Sequence, residues 1–396
     1  MIAHHIRGFS AAGVSCGLKR EAGALDLALI ASGQPCTAAG VFTTNRVKAA
    51  PVLYDQAVLA AGGMIRAVVV NAGNANACTG AAGMTAAHAT AAGVAAALGC
   101  SPGEVLVLST GVIGVPLPVE RVLRGITAAA QILSPVGWAD AATAIMTTDT
   151  RPKAFSITTP AGYTVAGVAK GAGMIAPNMA TMLAVIVTDA AVPVPALDAM
   201  LRAAVDVSFN RIVVDGDMST NDTVLALANG ASGVAVGAGD AVFQAALTAV
   251  CTHLARAIVK DGEGATRFVT LRVTGAAAEG DAAVVARAIA TSPLCKTAFY
   301  GADPNWGRIL CAAGYAGVDL DPDRLALWLL DETGAETIQL VTGGQPANYD
   351  EHAATTLMQG SEWGIRLDLG AGAAATTVWT CDLSHEYITI NGHYRT

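Results

Sequence analysis

A chain of 396 residues with 53% apolar and only 14% charged side chains can bury a large core, which excludes an intrinsically disordered protein. Its formal charge of −8 argues against a general nucleic-acid binder, which needs a basic surface to displace phosphate counterions. With aromatics at 5%, Ala and Gly fill much of the core, and such small side chains let helices lie flat on sheets.

The opening MIAHHIRGFS lacks the apolar run of a signal peptide, and no stretch approaches ~18 uninterrupted apolar residues. The expectation is a cytoplasmic protein without a membrane segment. Eight cysteines, at 16, 36, 78, 100, 251, 295, 311 and 381, form no CxxC pair and read as reduced thiols rather than a disulfide framework. The seven histidines show no HExxH spacing, so no metal site is expected.

In chain order, residues 84–98 (MTAAHATAAGVAAAL) predict an Ala-rich helix stopped by Gly99 and the turn Ser101-Pro102-Gly103. Residues 104–108 (EVLVL) predict a buried strand that ends in the polar turn Ser109-Thr110-Gly111. A further strand at 163–169 leads into Lys170-Gly171-Ala172-Gly173, and 179–188 (MATMLAVIVT) reads as a strand buried on both faces. The clearest helix is 240–260, where Phe243, Leu247, Val250, Leu254 and Ile258 form one apolar stripe. Lys260 suits its last turn and Gly262 its cap, which leaves Glu263 in the loop before a strand at 268–273. Near the end, Ile365, Leu367 and Leu369 alternate with Arg366 and Asp368 as in a half-buried strand, and 387–390 is predicted extended. No linker, repeat or low-complexity segment interrupts the pattern. The sum is a compact α/β protein with substantial sheet.

Two motifs are discounted on context. Gly13-Val14-Ser15-Cys16-Gly17 fits the GxSxG nucleophile elbow but precedes a charged stretch instead of a helix. Gly171-Ala172-Gly173 with Ala176 fits GxGxxA, but Pro177 and the β-rich run after it cannot supply the helix that would hold a pyrophosphate.

Residues 170–188 (KGAGMIAPNMATMLAVIVT) carry more chemistry. Thr181 can be a plain β-branched strand residue. It can also be a self-cleaving nucleophile, its hydroxyl attacking the Ala180 carbonyl and hydrolysis of the ester freeing a new N-terminus. The α-amine released, with a pKa near ~8, would then serve as base for its own hydroxyl. Spacing alone does not choose between the two.

The segment resembles the cleavage region of the ornithine acetyltransferases, also known as glutamate N-acetyltransferases. So do residues 40–52 (GVFTTNRVKAAPV), 70–80 (VNAGNANACTG), 109–114 (STGVIG), 215–223 (DGDMSTNDT), 261–268 (DGEGATRF), 296–307 (KTAFYGADPNWG) and 391–396 (NGHYRT). Ala72 stands where the family usually has serine, and Gly392 replaces a commoner alanine. The resemblance implies transfer of acetyl from N-acetylornithine to glutamate in arginine biosynthesis, through an acetyl-Thr181 intermediate and ping-pong kinetics. It implies a cut between Ala180 and Thr181, with Thr110 and Gly111 as the oxyanion hole. Substrate contacts carried over are Thr147, Lys170, Thr181, Glu263, Asn391 and Thr396.

The fold implied is a layered α-β-β-α arrangement made of an α fragment, 1–180, and a β fragment, 181–396, which contributes a smaller C-terminal domain. The fragments would be interwoven and assemble as two of each. No bound cofactor is expected, and acetyl-CoA is left open as a second donor. The alternative is a self-processing N-terminal-threonine aminopeptidase or amidase, which would pass the acyl group to water.

Overall fold

The computed structural model describes residues 6–176 and 182–393. Ala180, Thr181 and Thr396 therefore lie outside the described residues, as does the start of the strand expected at 179–188. The first elements are β1 (Phe9–Val14), β2 (Leu27–Phe42), α1 (Ala50–Ala60), β3 (Ile65–Asn74), α2 (Gly80–Leu98), β4 (Val105–Val112), α3 (Val119–Gln131) and α4 (Trp138–Ala144). Next come β5 (Lys153–Thr158), β6 (Thr164–Lys170), β7 (Leu183–Thr188), α5 (Val194–Asp206), β8 (Ile212–Val213), β9 (Thr223–Ala228) and α6 (Ala241–Lys260). The remainder comprises β10 (Phe268–Ala276), α7 (Glu279–Thr291), α8 (Pro293–Tyr300), α9 (Trp306–Gly314), β11 (Ala326–Leu330) and β12 (Glu336–Thr342). β13 (Gln345–Pro346), α10 (Glu351–Met358), β14 (Glu362–Asp368), β15 (Ala374–Cys381) and α11 (His385–His393) complete it.

The first sheet has the order β4-β3-β2-β9-β7-β6-β5, with β1 also on β2. β2 is long enough to serve both halves, pairing with β1 and β3 early and with β9 late. Its register breaks between Ala31 and Cys36, where Pro35 has no N–H to give a ladder. The halves thereby face each other: Ile30, Val68, Val70 and Leu106 pack in one cluster with Val168, Leu183, Val185 and Leu227. Alternate residues point outward, as the two-residue period requires. Leu29, Val69 and Val107 meet α2 and α3 through Val94 and Ile126, whereas Ala184, Ile186 and Val224 meet α5 and α6 through Leu201, Val250 and Leu254. Each such aliphatic side chain contributes about 1.5–3 kcal/mol when fully buried. Four layers result, α-β-β-α. A methyl group on Gly167 would come within 2.5 Å of Ile186 and 2.9 Å of Leu254, so this glycine lets α6 lie close on β6.

β1 to β6 precede residue 181 and β7 and β9 follow it, so the two later strands are inserted side by side between β2 and β6 of one sheet. The second sheet, β13-β12-β11-β14-β10-β15-β8, is drawn only from residues after 181. Its inner face (Leu271, Val273, Ile365, Leu367, Val378) packs on Val285, Phe299, Ile309 and Ala354 from α7 to α10.

Several local expectations change. The segment 387–390 is not extended but lies in α11, where Thr389 and Asn391 bond back to the carbonyls of His385 and Tyr387. Among the described residues no strand pairs with it, so its β-branched residues have no ladder to join. Ser109-Thr110-Gly111 is not a turn; β4 continues through Val112 because β3 bulges at Gly73 and Asn74 to stay beside it. Asp261, not Gly262, caps α6, and Gly264 takes the positive φ in the following loop. α2 and α6 are long and apolar enough to cross a membrane by length and composition alone, although polar residues interrupt both runs, as the sequence reading has it. In the fold each buries one side against its neighbours.

Candidate active site

A cleft of about 470 Å³ opens at one end of the first sheet. Thr110 and Gly111 of β4, Lys170 at the end of β6, Thr147 before β5, Glu263 after α6 and Asn391 of α11 all line it. Five segments distant in sequence thus converge on one space. Every described residue expected to act in the site faces this cleft, while Ala180, Thr181 and Thr396 are outside the described residues.

Gly111 adopts φ +129, a region closed to other residues without strain. A methyl group there would collide with the backbone of Gly73 and Asn74. The strand end is fixed from behind by Asn221, whose side-chain amide donates to the carbonyls of Ser109 (2.8 Å) and Ala75 (2.7 Å). The Ser109 hydroxyl donates to Asn71 (2.6 Å), and Asn71 donates to the Asn74 carbonyl (2.8 Å). The asparagine-rich 70–80 block is therefore a buried hydrogen-bond frame for Thr110 and Gly111.

Below the floor lies a closed ion cluster. Lys153 Nζ sits 2.6 Å from both Asp149 and Asp261, all three side chains being buried. Asp149 also accepts the N–H groups of Thr147 (3.0 Å) and Gly171 (2.7 Å), so it fixes both flanks of the Lys170 strand end. Burial alone would raise the Asp149 carboxyl, but Lys170, Lys153 and the Gly171 N–H outweigh it and hold it at about 2. Asp261 takes the Thr150 N–H (3.0 Å) and the Thr150 hydroxyl.

Lys170 is treated differently. It is 4% exposed, and among the described residues its ammonium has no hydrogen bond or ion pair. Burial pushes its pKa down, and Asp149 pulls it back up. A buried cation facing a cleft without a partner is a ready receptor for an anion. Glu263, 8% exposed, is anchored by its N–H to the Ala172 carbonyl (2.8 Å) and accepts from Asn391 Nδ2 (2.7 Å). A side chain on Gly173 would overlap the Glu263 carboxylate, so that glycine makes room for it. Asp215 and Asp217 add two more carboxylates, and Lys170 is the one cation among the described residues lining the cleft. Asp215 accepts the N–H groups of Met174 (2.6 Å) and Ile175 (2.8 Å) and receives the Tyr387 hydroxyl at 3.3 Å.

Asp149, Lys153 and Asp261 were not visible as a site in the sequence, because no spacing pattern joins them. Asp215, Asn221 and Asp222 belong to the 215–223 block, which marked the segment without saying what its residues hold. Among the described residues no group of His, Cys, Asp and Glu could hold a metal ion.

Among the described residues a buried cation without a partner, three carboxylates and a glycine in a conformation closed to other residues line one cleft over a polar frame, which makes it the candidate active site of an enzyme for small molecules. The profile of the ArgJ family matches residues 10–396, and the chain belongs to that family. It is 51% identical to the arginine biosynthesis bifunctional protein ArgJ of Symbiobacterium thermophilum, over 98% of this chain and 97% of that one. The Geobacter sulfurreducens protein of the same name is also 51% identical, over 99% and 100%. Among solved structures, the Mycobacterium tuberculosis ornithine acetyltransferase complexed with ornithine is 48% identical, covering 43% of this chain and 92% of that chain, with a TM-score of 0.42. The arginine biosynthesis bifunctional protein of Bacillus halodurans is 35% identical, covering 52% and 96%, with a TM-score of 0.48.

Proposed function

We propose that this enzyme moves acetyl from N-acetylornithine to glutamate, giving ornithine and N-acetylglutamate. The observation that carries the reading is the charge layout of the cleft, one buried cation among carboxylates in the described lining. An acetylated amino acid offers a carboxylate to Lys170, and ornithine offers a side-chain ammonium to Glu263.

Amides are poor acyl donors, so the transfer is divided by a covalent intermediate. The chain first opens between Ala180 and Thr181, leaving fragments 1–180 and 181–396. Thr181, its α-amine acting as base, attacks the acetamide; the oxyanion is met by donors at Thr110 and Gly111, each such donor being typically worth about 3 kcal/mol. Ornithine leaves, and glutamate takes the acetyl from the threonine ester. Thr147, Asn391 and Thr396 complete the grip on substrate, and two of each fragment make the assembly. Acetyl-CoA serves as a second donor to the same threonine.

Incubating the enzyme with acetylornithine, with and without glutamate, tests the transfer. Ornithine release that depends on glutamate, with parallel double-reciprocal lines, is expected. Release at full rate without glutamate would make the protein a hydrolase. Glu263→Gln should raise KM for acetylornithine, and an unchanged KM would remove Glu263 from the ammonium site. Acetylation of glutamate by acetyl-CoA alone tests the second donor. Sedimentation of the purified enzyme tests the assembly.

A further inference from the structure

Two buried lysines stand on opposite faces of the same sheet end. Residues paired across a ladder point to one face, and Lys153 pairs with Ala169, which joins the cluster under α6. Lys170 is the next residue of β6 and turns to the other face, abreast of Leu183, which packs inside the sandwich. Asp149 bridges the two. Its Oδ1 accepts the Lys153 ammonium at 2.6 Å and the Gly171 N–H at 2.7 Å, and its Oδ2 accepts the Thr147 N–H at 3.0 Å.

Burial works against the charge on Asp149, and Lys170 and Lys153 both support it, so the carboxylate lies in the field of either cation. It bonds only one of them. The Lys153 ammonium has three hydrogens and three acceptors: Asp149, Asp261 at 2.6 Å and the Arg151 carbonyl at 3.4 Å. The Lys170 ammonium, buried as well, has no acceptor among the described residues. A buried ammonium ordinarily pairs with a carboxylate in reach. Here that carboxylate is already taken.

We infer that Lys153 is a positioning residue of the substrate site: by holding Asp149, it keeps the Lys170 ammonium free for the substrate's carboxylate. The inference rests on the reading of Lys170 given above. Lys153 itself is not part of the cleft lining. Without it, Asp149 turns to Lys170, and the ion pair that forms takes the place of the ligand. Asp261 plays no such part, because its carboxylate serves Lys153 and Thr150 on the α6 side.

The full-length enzyme is assayed with glutamate for the KM of N-acetylornithine and for competitive inhibition by N-acetylputrescine, the same molecule without its carboxylate. Lys170→Met should raise KM about tenfold or more, the order of one charge-assisted hydrogen bond, and leave the inhibition constant in place. An unchanged KM there would remove Lys170 as the carboxylate receptor, and this inference with it. With Lys170 established, Lys153→Met should reproduce that pattern. Should this variant not fold, two charge-balanced ones decide. Lys153→Met with Asp261→Asn leaves Asp149 to quench Lys170, and KM should rise as in Lys170→Met. Lys153→Met with Asp149→Asn removes the quencher, and KM should lie closer to wild type. A scaffold without this role predicts the reverse order, since Asp149 also holds Thr147 and Gly171. Three results would overturn the inference: an unchanged KM in the folded Asp261 double variant, an equal rise in the N-acetylputrescine constant, or a KM in the Asp149 double variant as high as in the Asp261 one.

Discussion

The two sheets bury themselves in different ways. In the first, β6 and β7 are buried at every position, one face inside the sandwich and the other under α5 and α6. In the second, β10 and β14 alternate, with Val269, Leu271 and Val273 against helices and Thr270, Arg272 and Arg366 partly exposed. A doubly covered strand leaves no side-chain position free for chemistry, so the polar groups gather at its ends. The cleft, with Lys170 as the last residue of β6, lies at such an end.

The contrast predicts a graded series of stability losses. Lys153→Met leaves Asp149 and Asp261 buried without their shared cation and should lower the unfolding free energy by about 3–5 kcal/mol, measured by urea denaturation. The same cluster sets an acid limit. Because the folded Asp149 carboxyl is depressed to about 2, its contribution is complete above its unfolded value near ~3.9 and is lost as pH falls through about 2. Wild-type stability should fall in that window, and a flat profile there would show that the cluster is not stabilising. Next comes Ile186→Ala, which empties a site between β7 and α6 at a cost of about 2–4 kcal/mol. Trp328→Ala, which removes the ring 3.8 Å from Arg366 on the second sheet, should cost about 1 kcal/mol on that account. Thr270→Ala should change stability by no more than about 0.5 kcal/mol. A loss as large as that of Ile186→Ala would show that this outer face is covered in solution.

The sequence was most legible where periodicity was strongest. The α6 stripe is buried throughout, and the alternation from Ile365 to Leu369 appears as β14 and the residue after it. It was least legible where tertiary partners overrule local chemistry. Ser109-Thr110-Gly111 carries turn residues yet stays in a strand, because the bulge at Gly73 keeps β3 beside it. The β-branched tail becomes a helix that is tied to the cleft by Tyr387 and Asn391, bonds that only the folded chain can supply. Within the site, the family blocks brought Lys170, Glu263 and Gly111 to attention. The Lys153 cluster stayed hidden because its members meet across 108 residues of chain, from Lys153 to Asp261.

The strand order has a consequence for the life history of the protein. β9 and β7 lie between β2 and β6, so the part after residue 181 is joined to the part before it along two ladders, 37–42 with 223–228 and 165–170 with 183–188. An uncut chain can zip these ladders as an intramolecular search. Were the bond before Thr181 opened as proposed, a melted molecule would be two molecules, and its recovery would become second order in concentration. The cleaved enzyme would then depend on not unfolding rather than on folding again.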